Sequence, residues 1–195
     1  SNIAFKNSFW KNFKLKYNCE YKDFVNIENV LKIDNKIDIL TVIFFYEDIF
    51  VENKSLNLKN FNQILSYIDN FTEKRKVKLI FSIIENSNEN IINFSQKEKN
   101  NTKLISKFRD KLFKLIKQKD NLFFLDINSI FSQHGFKNCY DNRNWYAFRM
   151  RVSFMGLKLI IKNLSQLIER IYSPPSKVII VDCDNTLWGG VIGED

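Results

Sequence analysis

Ile37-Asp38-Ile39-Leu40-Thr41-Val42-Ile43-Phe44-Phe45-Tyr46 sets the architecture of the chain. A strand with one wet face alternates apolar and polar residues, whereas this run is almost continuously β-branched or aromatic. That is the pattern of a strand covered on both faces, as in a parallel sheet with helices on either side. It leads into Glu47-Asp48, which puts carboxylates at a strand's carboxyl end, where open α/β sheets bind their ligands. Val77 to Ile84, after the basic run Lys74-Arg75-Lys76, reads as a second buried strand. Between the two, Leu56 to Phe71 repeats Leu58, Phe61, Ile64, Leu65 and Ile68 at helical intervals.

The same alternation extends outward. Thr102 to Lys119 places Leu104, Ile105, Phe108, Leu112, Phe113, Leu115 and Ile116 on a helical period with lysines opposite. Asn121 to Asp126 is a short strand, Ile127 to Phe131 opens a turn or short helix, and Gly135 to Asn144 reads as loop. Ser153 to Ile171 is the last helix. Toward the N-terminus, Ile3-Ala4-Phe5 reads as a short strand breaking into a polar turn at Lys6-Asn7-Ser8, and Lys14 to Leu31 is open between strand and helix. Strand and helix alternating in this way predict a three-layer α/β/α sandwich with a mainly parallel, flavodoxin-like sheet.

At 195 residues, with 45% hydrophobic and 27% charged, the chain suits one full globular domain and a small part of a second. Ser173-Pro174-Pro175-Ser176 ends the last helix and reads as a linker, because proline cannot continue the helix and a proline pair is stiff. The formal charge of +8 is spread through lysines interleaved with Asp, Glu and Asn, a solvated surface rather than a nucleic-acid patch. Three cysteines, Cys19, Cys139 and Cys183, lack paired spacing, which argues against a disulfide framework or zinc site and fits a reducing cytoplasm. No apolar run approaches membrane-spanning length, so neither a nucleic-acid nor a membrane partner is expected.

After the linker, Val178-Ile179-Ile180-Val181 runs into Asp182-Cys183-Asp184-Asn185-Thr186-Leu187-Trp188-Gly189-Gly190 and on to Gly193-Glu194-Asp195. This is a buried strand delivering two carboxylates, one residue apart, at its carboxyl end. Like charges so close repel, and a divalent cation that prefers oxygen ligands relieves the repulsion. The glycine pair allows a tight turn and close backbone approach to a ligand. The alternative for a bare Asp-x-Asp is an Asx turn after a strand. The longer stretch resembles motif I of the haloacid dehalogenase (HAD) superfamily, specifically its FkbH-like branch. The resemblance implies that Asp182 is the nucleophile that accepts a phosphoryl group and Asp184 the general acid/base. It also implies that Mg²⁺ sits on the Asp182 carboxylate and the Asp184 backbone carbonyl, and that Thr186, Gly189 and Gly190 contribute to phosphate binding. A Ser or Thr, a Lys and a further acidic pair, from sequence beyond Asp195, would complete such a site. Cys183 reads either as a thiol acceptor for an acyl group or as a small packed side chain.

An FkbH-like protein carries, ahead of its HAD domain, a domain similar to the SGNH hydrolases, giving an expected division of 1–172, a linker at 173–176, and a HAD-like start at 177–195. The hydrolase positions are departed from here. Lys6-Asn7-Ser8 stands where Gly-Asp-Ser would, so Ser8 is a degenerate nucleophile position. Phe45-Tyr46-Glu47-Asp48 replaces Gly-x-Asn-Asp. Ser153 and Gly156 of the last block are kept, but Arg151 falls where the histidine would. A serine nucleophile needs a base, and an always-protonated arginine cannot serve. His134, the only histidine, sits well before that block. Trp145-Tyr146-Ala147-Phe148-Arg149-Met150-Arg151 is similar to the branch's Trp-Tyr-x-x-Arg-Met segment. Arg149 and Arg151 are candidates for a phosphate or carboxylate, the alternative being aromatics in the core with arginines at a sheet edge.

These expectations define a phosphatase or phosphotransferase acting on an activated, phosphorylated three-carbon glyceryl donor, with transfer to an acyl carrier protein. Residues 1–195 alone are expected to be inactive. The alternatives are a non-catalytic binding or scaffold domain that docks a carrier or partner subunit, and a residual SGNH-type esterase.

Overall fold

The computed structural model describes residues 8–20, 37–46, 51–52, 55–56, 58–85, 96–141, 143–144 and 151–173. The two apolar runs that anchor the reading become β1 (Ile39–Phe45) and β4 (Lys78–Ile84). They pair in parallel from Ile39 opposite Lys78 to Phe45 opposite Ile84. β5 (Leu122–Phe124) joins the other side of β4, also parallel, giving the order β1-β4-β5. A separate antiparallel pair, β2 (Val51–Glu52) and β3 (Ser55–Leu56), lies between β1 and the next helix.

The connections are helical, as parallel strands require. α2 (Leu58–Lys74) crosses from β1 to β4, and α3 (Gln96–Gln118) precedes β5. Side chains alternate across the sheet, so each strand feeds two cores. Leu40, Val42, Leu79, Phe81, Ile83 and Leu122 pack beneath α2 and α3 with Phe61, Ile68, Phe108 and Leu112. The opposite face is filled by α1 (Ser8–Tyr17), α4 (Ile127–His134), α5 (Phe136–Cys139) and α6 (Phe154–Tyr172). There Ile80, Ile84 and Leu125 meet Phe13, Phe131, Ile160, Ile161, Leu164 and Ile168, and Ile39, Ile43 and Phe45 pack against them. β1 is thus covered on both sides, and the fold is the three-layer α/β/α arrangement expected.

Two local expectations change. The polar turn expected at Lys6-Asn7-Ser8 gives way to helix from Ser8 onward. Trp10, Phe13 and Tyr17, spaced three and four apart, form a stripe that packs onto the α6 layer, and that burial outweighs the polar residues between them. Within the segment expected to be loop, residues 136–139 form the one-turn helix α5, which packs Cys139 into the core. Ile3 to Phe5, Glu47, Asp48, the linker prolines and everything after Ser173 lie outside the described residues.

Candidate functional site

The direction of α6 fixes the geography. Lys78, at the start of β4, holds its ammonium 3.7 Å from the ring centroid of Tyr172, at the end of α6. Phe45, at the end of β1, carries the Arg151 guanidinium 5.2 Å from its centroid, just before α6 begins. The helix therefore runs antiparallel to the strands, and its N-terminus lies at the carboxyl edge of the sheet. The last turn of α1 lies against the second half of α6, where Lys16 pairs with Glu169 and the Tyr17 hydroxyl reaches the Ser165 carbonyl and the Glu169 carboxylate.

The carboxyl edge thus gathers Tyr46, Glu85, Asp126 and Arg151 from four different segments. Several of them are held by structural bonds. Asp126, expected only as a strand-end carboxylate, caps α4: one oxygen accepts the Ser129 backbone N–H at 3.0 Å and the other its hydroxyl at 2.7 Å. Asn128 clips the end of β4, its Oδ1 accepting the Glu85 N–H and its Nδ2 donating to the Ile83 carbonyl, both at 2.9 Å. Glu85 in turn pairs with Arg109 of α3 at 2.7 Å.

The crevice beneath this pair is lined by Tyr46, Phe61, Phe108, Leu112 and Phe124 and measures about 290 Å³ including space open to solvent. Only about 10 Å³ of it has room for the centre of a water-sized sphere, so the crevice is a seam between α3 and the sheet rather than a chamber.

Two positions kept from the hydrolase pattern have structural duties. Ser153 caps α6: its hydroxyl accepts the Gly156 N–H at 3.1 Å and donates to the Asn138 carbonyl. A side chain at Gly156 would bring a Cβ within 2.4 Å of the Cys139 carbonyl oxygen and 2.7 Å of a Val152 methyl. The glycine is what lets α6 close onto α5, where Tyr140 and Val152 form an antiparallel bridge. Arg151 occupies the histidine position with its guanidinium on an aromatic face. His134, exposed in the last turn of α4, places Nδ1 2.9 Å from the Ile130 carbonyl of its own helix.

Charge pairs tune the surrounding groups. The Arg143 guanidinium and backbone N–H hold the Asp141 carboxyl below its usual range. Burial pushes the Cys139 and Cys19 thiols up, so neither is an activated nucleophile. Among the described residues there is no group of three or more His, Cys, Asp or Glu side chains able to hold a metal. No helix there is long and apolar enough to cross a membrane.

Asp182, Asp184, Thr186, Gly189, Gly190 and Arg149 lie outside the described residues. Of the candidates chosen from sequence, Arg151 stands at the carboxyl edge and Ser8 is the first residue of α1. Asn128, which the sequence reading passed over, holds that edge together. An asparagine eight residues before Phe136 carries no signal of a bond to a strand more than forty positions away.

No protein-family model matches the chain, and no curated protein is detectably similar to it. Its fold matches a solved structure, the N-terminal part of protein BF1531 from Bacteroides fragilis, described as containing a phosphatase domain complexed with Mg. The match has a TM-score of 0.66 at 19% identity and covers 91% of this chain and 50% of that one. The chain thus spans half the length of that protein part, and the likeness establishes the α/β fold.

Proposed function

We propose that the chain is the N-terminal part of a magnesium-dependent phosphatase or phosphotransferase of the HAD type, FkbH-like branch. Its domain would comprise residues 1–172, with a linker at 173–176 and the phosphatase domain opening at 177. The observation that carries this reading is Val178 to Thr186, an apolar strand sequence delivering Asp182 and Asp184 directly after a complete α/β layer set. Support comes from the fold likeness to a protein part that contains a phosphatase domain and was crystallised with Mg.

The donor chemistry suits that ion: Mg²⁺ takes oxygen ligands, and the Asp182 carboxylate with the Asp184 carbonyl supply them. When bound, it would neutralise charge on the phosphoryl oxygens. Asp182 would attack phosphorus, and Asp184 would protonate the leaving oxygen and then deprotonate water. The finer assignment is a phosphorylated glyceryl donor whose three-carbon group passes to an acyl carrier protein in the cytoplasm.

In the same reading the first domain binds or supports rather than hydrolyses. Arg151 stands on Phe45 in the place of a base, and Ser153 is committed to a helix cap.

Assay of the full-length protein on a generic phosphate ester tests the first part. Turnover that needs Mg²⁺ and falls by about a thousandfold or more in Asp182→Asn is the expected result. Turnover insensitive to chelator or to that substitution would overturn it. Residues 1–172 alone should hydrolyse neither phosphate nor short-chain carboxylic esters.

A further inference from the structure

The outer face of the α1–α6 layer combines two properties found together nowhere else among the described residues. The first is charge. α1 and α6 carry Lys11, Lys14, Lys16, Lys158, Lys162 and Arg170 against a single acid, Glu169, which Lys16 already engages. The second is exposed apolar surface. Leu15 is 82% exposed, Phe154 59% and Met155 44%, three of the five large apolar side chains that the described residues leave in solvent.

Helical geometry puts Leu15, Met155 and the lysines near them on the side away from the core. With Phe13 inward, Leu15 faces out between Lys11 and Asn12. On α6, Met155, Lys158, Lys162, Gln166 and Glu169 follow one another at intervals of three or four, opposite the buried Ile160, Leu164 and Ile168. α3 on the other layer is also lysine-rich. Its one exposed aromatic, Phe113, however, packs edge-on against Phe124 with centroids 5.4 Å apart.

A basic field around separated apolar contacts matches a protein surface of the opposite kind. Carboxylates steer the encounter and apolar side chains supply the contact energy. We infer that this face docks an acidic protein partner, one that presents carboxylates around a small apolar centre. The inference goes beyond the phosphatase reading and borrows from it only the choice of probe, an acyl carrier protein, which is a small acidic helical protein.

The test measures binding of purified acyl carrier protein to the chain at about 0.15 M salt, where surface charges further apart than about 8 Å are screened. Two charge-reversal variants of equal net change are compared. Lys11→Glu/Lys162→Glu/Arg170→Glu lies on this face, and Lys107→Glu/Lys114→Glu/Lys117→Glu lies on α3. All six residues are exposed, and unchanged circular-dichroism melts verify folding.

Binding weakened about tenfold or more by the first set and less than about twofold by the second supports the proposal. Leu15→Ser/Met155→Ser, which removes apolar contact without altering charge, should weaken it as well. Equal loss from both charge sets overturns the assignment to this face while leaving a carrier partner intact. Absence of binding by the wild-type chain overturns the partner and leaves the phosphatase reading standing. Preferential binding to vesicles rich in anionic phospholipid overturns it in favour of a membrane surface. Altered stability of the full-length protein without altered binding overturns it in favour of an intramolecular contact.

Discussion

The two edges of the sheet are built differently. At the amino edge, one side chain gathers three segments: Asn121 donates through Nδ2 to the carbonyls of Thr72, Arg75 and Val77 at 2.8–3.3 Å. This ties the end of α2 and the approach to β4 onto the turn before β5. The Thr72 hydroxyl bonds back to Ile68 in its own helix, and Lys119 pairs with Asp69 nearby. At the carboxyl edge the polar groups are distributed, each serving one helix start or one strand end: Asp126 for α4, Asn128 for β4, Ser153 for α6. The amino edge behaves as a seam closed at one point. The carboxyl edge is a row of separate fastenings around the place where this kind of fold has room for a ligand.

Gly156→Ala is the most damaging single change expected at either edge. Its Cβ would meet backbone rather than a yielding side chain, and overpacking of this sort costs about 1–3 kcal/mol, occasionally more. Urea midpoints would show it, and a loss under about 0.5 kcal/mol would mean α5 can withdraw from α6. Asn121→Ala should follow at about 2 kcal/mol, since it strips a donor from partly buried carbonyls. Asn128→Ala removes only one donor and one acceptor at the opposite edge and should cost about 1 kcal/mol. If Asn128→Ala proved the worse of the two, the contrast between a single seam and separate fastenings would fail.

The smallest effect is electrostatic. Lys16 holds the Glu169 carboxyl below its ordinary value of 4.5, chiefly by their hydrogen bond. A depressed carboxylate stabilises the fold above its unfolded pKa and loses that contribution as pH falls through the folded value. The melting temperature of the wild-type protein should thus fall more steeply below about pH 4.5 than that of Glu169→Gln. Identical slopes would show that α1 is held by Phe13 and its neighbours alone.

The strands of the main sheet and the three long helices were legible in the sequence because each is a long periodic or continuous apolar segment. α1 was harder: its three anchoring aromatics, Trp10, Phe13 and Tyr17, are diluted by lysines and follow residues that read as a turn. α5 was hidden because a four-residue helix has no period, and what holds it is the approach of Gly156 from α6. Within the candidate site, the one-residue spacing of Asp182 and Asp184 is a local sequence pattern, whereas the stacking of Arg151 on Phe45 and the clip made by Asn128 join positions far apart in the chain. Local pattern cannot encode such pairs.

The middle strand has one more consequence. Leu79, Ile80, Phe81, Ser82 and Ile84 are almost wholly shielded, and β4 is bonded to a neighbour on each side. Its amides have no local route to solvent, so their exchange with deuterated water should proceed only through global opening. β4 can therefore serve as an internal gauge of the free energy of the whole domain, while helix ends at either edge report smaller, local openings.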